Sequence, residues 1–192
     1  MAVDASSFAT VDWSTLPVPA DDGAASHLSG LRVADAALRS TAGGTVSLAR
    51  LPGRTALFIY PMTGTPGVAL PDGWDAIPGA RGCTPHACAF RDLHAELTRA
   101  GASTVFGLST QTLAEQQATV ARLHLPFPLL SDADLALARA MDLPQMEVAG
   151  KPMIKRMALI LDDGIVRHVF YPVFPPDRNA ADVLAWLTAH PR

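Results

Sequence analysis

The chain has 192 residues, 49% hydrophobic and 17% charged, the composition of one ordinary folded domain with a radius of gyration of about 16 Å. That excludes disorder and coiled coil, and a chain of this size buries about 70% of its unfolded surface, enough for a core without metal or disulfide staples. Fifteen basic and eighteen acidic residues leave a net charge of −3, which provides no field for phosphate backbones, so no nucleic-acid partner is expected. Met1 to Ala20 contain neither a basic residue nor an unbroken apolar run, and no segment is fit to span a bilayer. The expectation is a cytoplasmic chain with no membrane partner. Thiols are kept reduced there, so two cysteines read as reactive or metal-binding rather than as a permanent staple.

In chain order, residues 1–40 read as an irregular N-terminal arm and 41–192 as a single domain. Thr45 to Leu48 alternates polar and apolar, and Thr55 to Tyr60 is a continuous apolar run suited to a buried strand that ends at Pro61. Residues 61–82 hold five Gly and four Pro and form a long loop of the kind that carries function. A helix is expected over about 84–100, opened by Pro85 and stopped by Gly101. Thr104 to Ser109 reads as a second strand and Thr112 to Leu123 as a helix. A short extended piece then ends at Leu129-Leu130, and Ser131-Asp132 caps a helix of about 133–141. Met157–Leu161 and Ile165–Phe170 form a hairpin through Asp162-Asp163-Gly164, and a helix of about 180–190 closes the chain. This order describes an α/β fold of the thioredoxin-like kind, a central mixed sheet with helices on both faces.

The chemistry centres on Cys83, at the end of the Gly-rich loop and the start of a helix. A first helical turn presents free N–H groups and the positive end of the dipole, which favour thiolate over thiol, and Arg81 nearby would act in the same direction. Such a cysteine is a candidate nucleophile. Cys88 lies five residues on. In an intact helix that offset is a rise of about 7.5 Å and a turn of about 140°, too far for a disulfide. If the two sulfurs pair, the first turns must unwind. Cys88 alone reads equally well as core filling. A metal site of Cys83, His86 and Cys88 fits no complete ligand set, so no metal is expected. His86, His94, His124 and His168 read as surface or packing residues. Trp74 reads as an anchor folding the loop over the site or as a contact for a second subunit.

Tyr60-Pro61-Met62-Thr63-Gly64-Thr65-Pro66-Gly67 and Cys83-Thr84-Pro85-His86-Ala87-Cys88-Ala89-Phe90-Arg91-Asp92, with Arg156-Met157-Ala158-Leu159-Ile160-Leu161-Asp162, resemble the peroxiredoxins of the bacterioferritin-comigratory or Q type. The resemblance covers about 40 to 190. It implies a thiol-dependent peroxidase with no cofactor, in which Cys83 is peroxidatic, Cys88 resolves it as an intramolecular disulfide, and Arg156, Thr65 and Pro61 complete the site. The implied partners are a hydroperoxide substrate and a thioredoxin- or glutaredoxin-type reductant, on a monomer or homodimer. One departure stands out: fifteen residues, Val68 to Gly82, separate Thr-Pro-Gly from the cysteine, and Ala80 occupies the place where counting back calls for Thr. The expectation is that the loop closes through Pro66-Gly67 and Pro78-Gly79 to return Thr65 to the sulfur. Without the resemblance, Arg156 reads as a strand-edge residue or ion-pair partner, and Arg91 and Asp92 as a neighbour pair. The rival functions are a redox sensor or interaction module with little turnover, and a disulfide-exchange protein, which would be expected to carry Cys-x-x-Cys.

Overall fold

The computed structural model describes residues 11–192. A seven-stranded mixed sheet runs in the order β2-β1-β5-β4-β3-β8-β9, with β1 Leu38–Ser40, β2 Thr45–Val46, β3 Arg54–Ile59, β4 Thr104–Ser109, β5 Leu129–Ser131, β8 Met157–Asp162 and β9 Ile165–Phe170. A separate hairpin joins β6 Gln145–Val148 to β7 Lys151–Ile154. The helices are α1 Cys83–Asp92, α2 His94–Arg99, α3 Leu113–Leu123, α4 Ala136–Ala140 and α5 Asn179–Ala189.

Side chains alternate across the central strands and so build two cores. Ala56 and Phe58 of β3, and Tyr60 just beyond it, meet Ala87, Phe90, Leu97, Val183 and Leu187 of α1, α2 and α5. Leu57 and Ile59 point the other way, toward Leu137 and Ala138 of α4 and toward Leu28, Val33 and Leu38. Residues 1–10 of the segment read as an irregular arm lie outside the described residues; its remainder packs Leu28, Val33 and Leu38 on one sheet face and contributes β1, which lies wholly before residue 41.

Register decides what lies at each end of the sheet. Antiparallel pairing sets Ile59 opposite Met157 and Arg54 opposite Asp162. The start of β8, with Arg156, thus stands beside the end of β3, where the Cys83 loop departs. At the far end Arg54 clamps Asp162 with two bonds, Nε to Oδ1 at 2.7 Å and Nη2 to Oδ2 at 2.9 Å. Arg54 is buried, and the guanidinium beside it holds the Asp162 carboxyl below the ordinary carboxylate range. Asp162→Ala leaves a buried cation unpaired, and urea unfolding is expected to show a loss of about 3–5 kcal/mol. A depressed carboxylate contributes stability above its unfolded pKa of about 3.9 and loses it as pH falls through the folded value, so acid titration should find the variant's deficit shrinking below pH of about 4.

Several elements differ from the sequence expectation. The helix expected over 84–100 is two, parted at Leu93, whose φ of −99° and ψ of 10° leave the helical region. Leu93 still donates to Ala89 and accepts from Leu97, so apolar spacing runs on across the kink and hides it. The cap expected at Ser131-Asp132 is displaced: α4 starts behind Leu135 at a φ of 59°, and the Asp132 carboxylate reaches past it to accept from the Leu137 and Ala138 N–H groups at 3.0 and 2.8 Å. The β6–β7 hairpin has no counterpart in the sequence expectation, because Pro152 and the weak alternation of Gln145 to Val148 obscure the strand pattern.

Candidate active site

Cys83 is the first residue of α1, and Gly82 before it adopts a φ of 102°. Glycine suits that position on two counts: the left-handed backbone, and space, since a Cβ there would lie 2.7 Å from the Trp13 ring and 2.8 Å from Pro176. Trp13 is held in turn by Asp177, 2.8 Å from its indole nitrogen. The buried face of α1 is Cys83, His86, Ala87 and Phe90, the spacing of one helical stripe. Phe90 stacks on Phe58 with centroids 4.4 Å apart, which fixes α1 on the sheet.

The inserted loop is a packed structure. Trp74 is buried with Ala80, Val148 and Met153, and Met62, Leu70, Ile77 and Met146 close around them, so the insertion and the β6–β7 hairpin form a small core of their own. Trp74 is thus an anchor folding the loop over the site. Arg81 pairs with Asp75 at 2.8 Å rather than turning to the sulfur, and what it contributes to the site is its carbonyl.

Cys83 is only 3% exposed, but it lines a cavity of about 20 Å³, room for a water-sized molecule, walled by Met62, Leu70, Trp74, Thr84 and Pro85. Arg156 Nη2 donates to Cys83 Sγ at 3.1 Å. The same guanidinium donates to the carbonyls of Gly79, Ala80 and Arg81 at 3.3, 3.1 and 3.1 Å, and Nη1 donates to His86 Nδ1 at 2.9 Å. Among the described residues Arg156, itself buried, has no carboxylate partner, so the Cys83 sulfur is the one neighbour able to supply a compensating negative charge. A thiol at the same place can donate to the Ala80 carbonyl, 3.6 Å away.

Sequence reasoning missed His86 as part of the site. It is fully buried, and its ring contacts Phe58 edge-on at 5.1 Å. Arg156 can only donate, so Nδ1 is the acceptor and the proton sits on Nε2, which donates to Asn179 Oδ1 at 2.8 Å. Burial first, then the charge of Arg156, pushes the His86 pKa well below the ordinary histidine value, so the ring is neutral. Both ring nitrogens are occupied, which removes His86 as a metal ligand. Its place in the stripe with Cys83 was the one available signal.

The remaining expected residues fall as follows. Cys88 is half-buried on the same intact helix, both cysteines are free, and burial raises its thiol pKa. Pro61 is buried at the end of β3 and is not part of the cavity wall. Thr65 is not brought to the sulfur: it is exposed, and among the described residues its hydroxyl has no hydrogen bond to Cys83. Its segment passes the cavity through Met62 and Gly64 and is fixed by other bonds, Thr63 to Gln111 and Arg122 to the Gly64 carbonyl. The threonine among the residues lining the cavity is Thr84. Arg91 bonds Asp92 and the Leu123 carbonyl, as its sequence neighbours suggested.

The Redoxin family model matches residues 28–184. Chloroplastic peroxiredoxin Q of Triticum aestivum is 31% identical over 149 residues, 77% of this chain and 60% of that protein. The chloroplastic peroxiredoxin Q of Suaeda salsa is 30% identical over 152 residues, covering 78% and 63%. The chain therefore spans about three fifths of the length of the curated relatives it matches. Among solved structures, peroxidoxin BcpB of Mycobacterium tuberculosis superposes with a TM-score of 0.67 at 32% identity, over 84% of this chain and 96% of that one. Peroxiredoxin Q of Xanthomonas campestris does so with a TM-score of 0.65 at 28% identity, over 92% and 97%. With a helix-start cysteine under a buried arginine on its mixed sheet, and with the Redoxin model matching most of its length, this chain is a member of the redoxin family, a peroxiredoxin of the Q or bacterioferritin-comigratory type.

Proposed function

We propose that this chain is a thiol-dependent peroxidase whose reacting sulfur is that of Cys83. The observation that carries the reading is the 3.1 Å contact between Arg156 Nη2 and Cys83 Sγ at the wall of a small cavity. Cys83 thiolate attacks one peroxide oxygen, the O–O bond breaks, and the other oxygen takes a proton and leaves as water or an alcohol, giving Cys83 sulfenic acid. The Arg156 guanidinium stabilises charge that grows on the departing oxygen. Cys88 thiol then displaces the sulfenic hydroxyl as water, forming the Cys83–Cys88 disulfide. A dithiol of the thioredoxin or glutaredoxin type restores both thiols and leaves oxidised itself, which places the cycle in a reducing compartment such as the cytoplasm. One chain holds all the residues of this cycle, consistent with a monomer or a homodimer.

Alkyl hydroperoxides belong to the proposed substrates. The bacterioferritin comigratory protein of Xanthomonas campestris, 28% identical over 92% of this chain, has been studied for its alkyl peroxide reduction activity, which supports the reading. The test is stopped-flow oxidation by hydrogen peroxide and by an organic hydroperoxide, followed by peptide mapping. Oxidation far faster than that of free cysteine, ending in a Cys83–Cys88 disulfide, is the expected result. A rate equal to that of free cysteine overturns the peroxidase reading, and fast oxidation without that disulfide overturns the role of Cys88.

A further inference from the structure

Arg156 must keep one nitrogen on the sulfur while buried without a carboxylate to fix it, and the side chain that takes its other terminal nitrogen is a histidine. We propose that His86 and Asn179 act as a pair of positioning residues, a neutral acceptor and its anchor, that hold the Arg156 guanidinium in register with Cys83. This rests on the reading of Cys83 as the reacting sulfur.

The geometry is a chain of three bonds from α5 to the sulfur: Asn179 Oδ1 to His86 Nε2 at 2.8 Å, His86 Nδ1 to Arg156 Nη1 at 2.9 Å, and Arg156 Nη2 to Cys83 Sγ at 3.1 Å. All four side chains are at most 3% exposed, so none of these bonds exchanges readily with water. Asn179 fixes the tautomer. Its oxygen accepts the Nε2 proton and leaves Nδ1 bare for the arginine. A neutral acceptor also leaves the guanidinium charge undiminished for the sulfur and the peroxide, whereas a carboxylate in its place would compete with the thiolate as counter-ion.

The arrangement is intolerant of protonation. An imidazolium carries a proton on Nδ1, cannot accept from Arg156, and sets two cations against each other. Among the described residues the groups facing His86 are Arg156 from the start of β8, Cys83 on its own helix, Phe58 of β3, Phe90 of α1 and Asn179 of α5, so Arg156 is the one fixed charge among them. Asp177, Arg178 and Asp182 near Asn179 are exposed, and Asp177 is turned to Trp13. Among the described residues no carboxylate faces the ring, and burial, then the charge of Arg156, drives its pKa down.

The test compares oxidation of Cys83 by hydrogen peroxide with its alkylation by iodoacetamide in wild type, His86→Leu, His86→Asn and Asn179→Asp, with far-UV circular dichroism on each. Asn carries an oxygen where histidine carries Nδ1, so His86→Asn is expected to stay within about threefold of wild type. His86→Leu should lose about tenfold or more in peroxide rate without a parallel fall in alkylation, because the arginine is displaced while the sulfur remains. Asn179→Asp places a carboxylate beside Nε2, favours the imidazolium, and should move an acid limb of the peroxide rate toward neutral pH that His86→Asn in the same background removes. A wild-type rate in His86→Leu, or, if that variant does not fold, an unchanged pH profile in Asn179→Asp, overturns the proposal. Wild-type protein that peroxide does not oxidise at Cys83 would instead refute the reading beneath it.

Discussion

Cys83→Ser is expected to reduce peroxide consumption to the buffer background, while Cys88→Ser consumes one equivalent and stops with a sulfenic acid that a dimedone adduct reveals by mass spectrometry. The asymmetry follows from placement. Cys83 meets both the cavity and the Arg156 guanidinium, whereas Cys88 is half-buried further along α1 with its thiol held protonated by burial. The five-residue offset on an intact helix keeps the two sulfurs from bonding, so oxidation at Cys83 comes first and the disulfide needs the first turns to open. Equal loss in both variants at the first turnover would contradict this order, and so would a Cys83→Ser protein that retains turnover.

Arg156→Leu is expected to slow oxidation of Cys83 by a factor on the order of 10² to 10³, the range for losing one preorganised donor to developing oxygen charge. Arg156→Lys should recover only part of this. A lysine ammonium is a point charge that can approach the sulfur, but it cannot also satisfy the Gly79, Ala80 and Arg81 carbonyls and His86 in their present directions. Stopped-flow traces at fixed pH decide the matter, and a Leu variant within a few-fold of wild type would remove Arg156 from the mechanism.

The parts of the molecule legible in the sequence were those governed by local pattern. Thr104 to Ser109 is a strand at the expected bounds because its apolar run is buried on both faces. Thr112 caps α3 with a capping box completed by Glu115, and Cys83 stands at a loop-to-helix junction. The illegible parts depend on contacts between distant segments. His86 and Asn179 lie 93 positions apart, so the tautomer that matters is set by a bond no spacing rule encodes. The role of Arg81 passed to its own backbone because Asp75, six residues earlier, captured its side chain. Thr65 could be placed at the sulfur only by assuming that the insertion closes on itself. Instead Trp74 folds it against the β6–β7 hairpin.

The Trp13 ring and Pro176 both crowd Gly82, and Asp177 fixes the Trp13 indole. On the proposed cycle, opening the first turn of α1 parts these contacts, so the lifetime of the sulfenic acid is set partly by a tryptophan seventy positions upstream of the sulfur. The competition between disulfide closure and a second, irreversible oxidation is therefore governed from outside the helix that reacts.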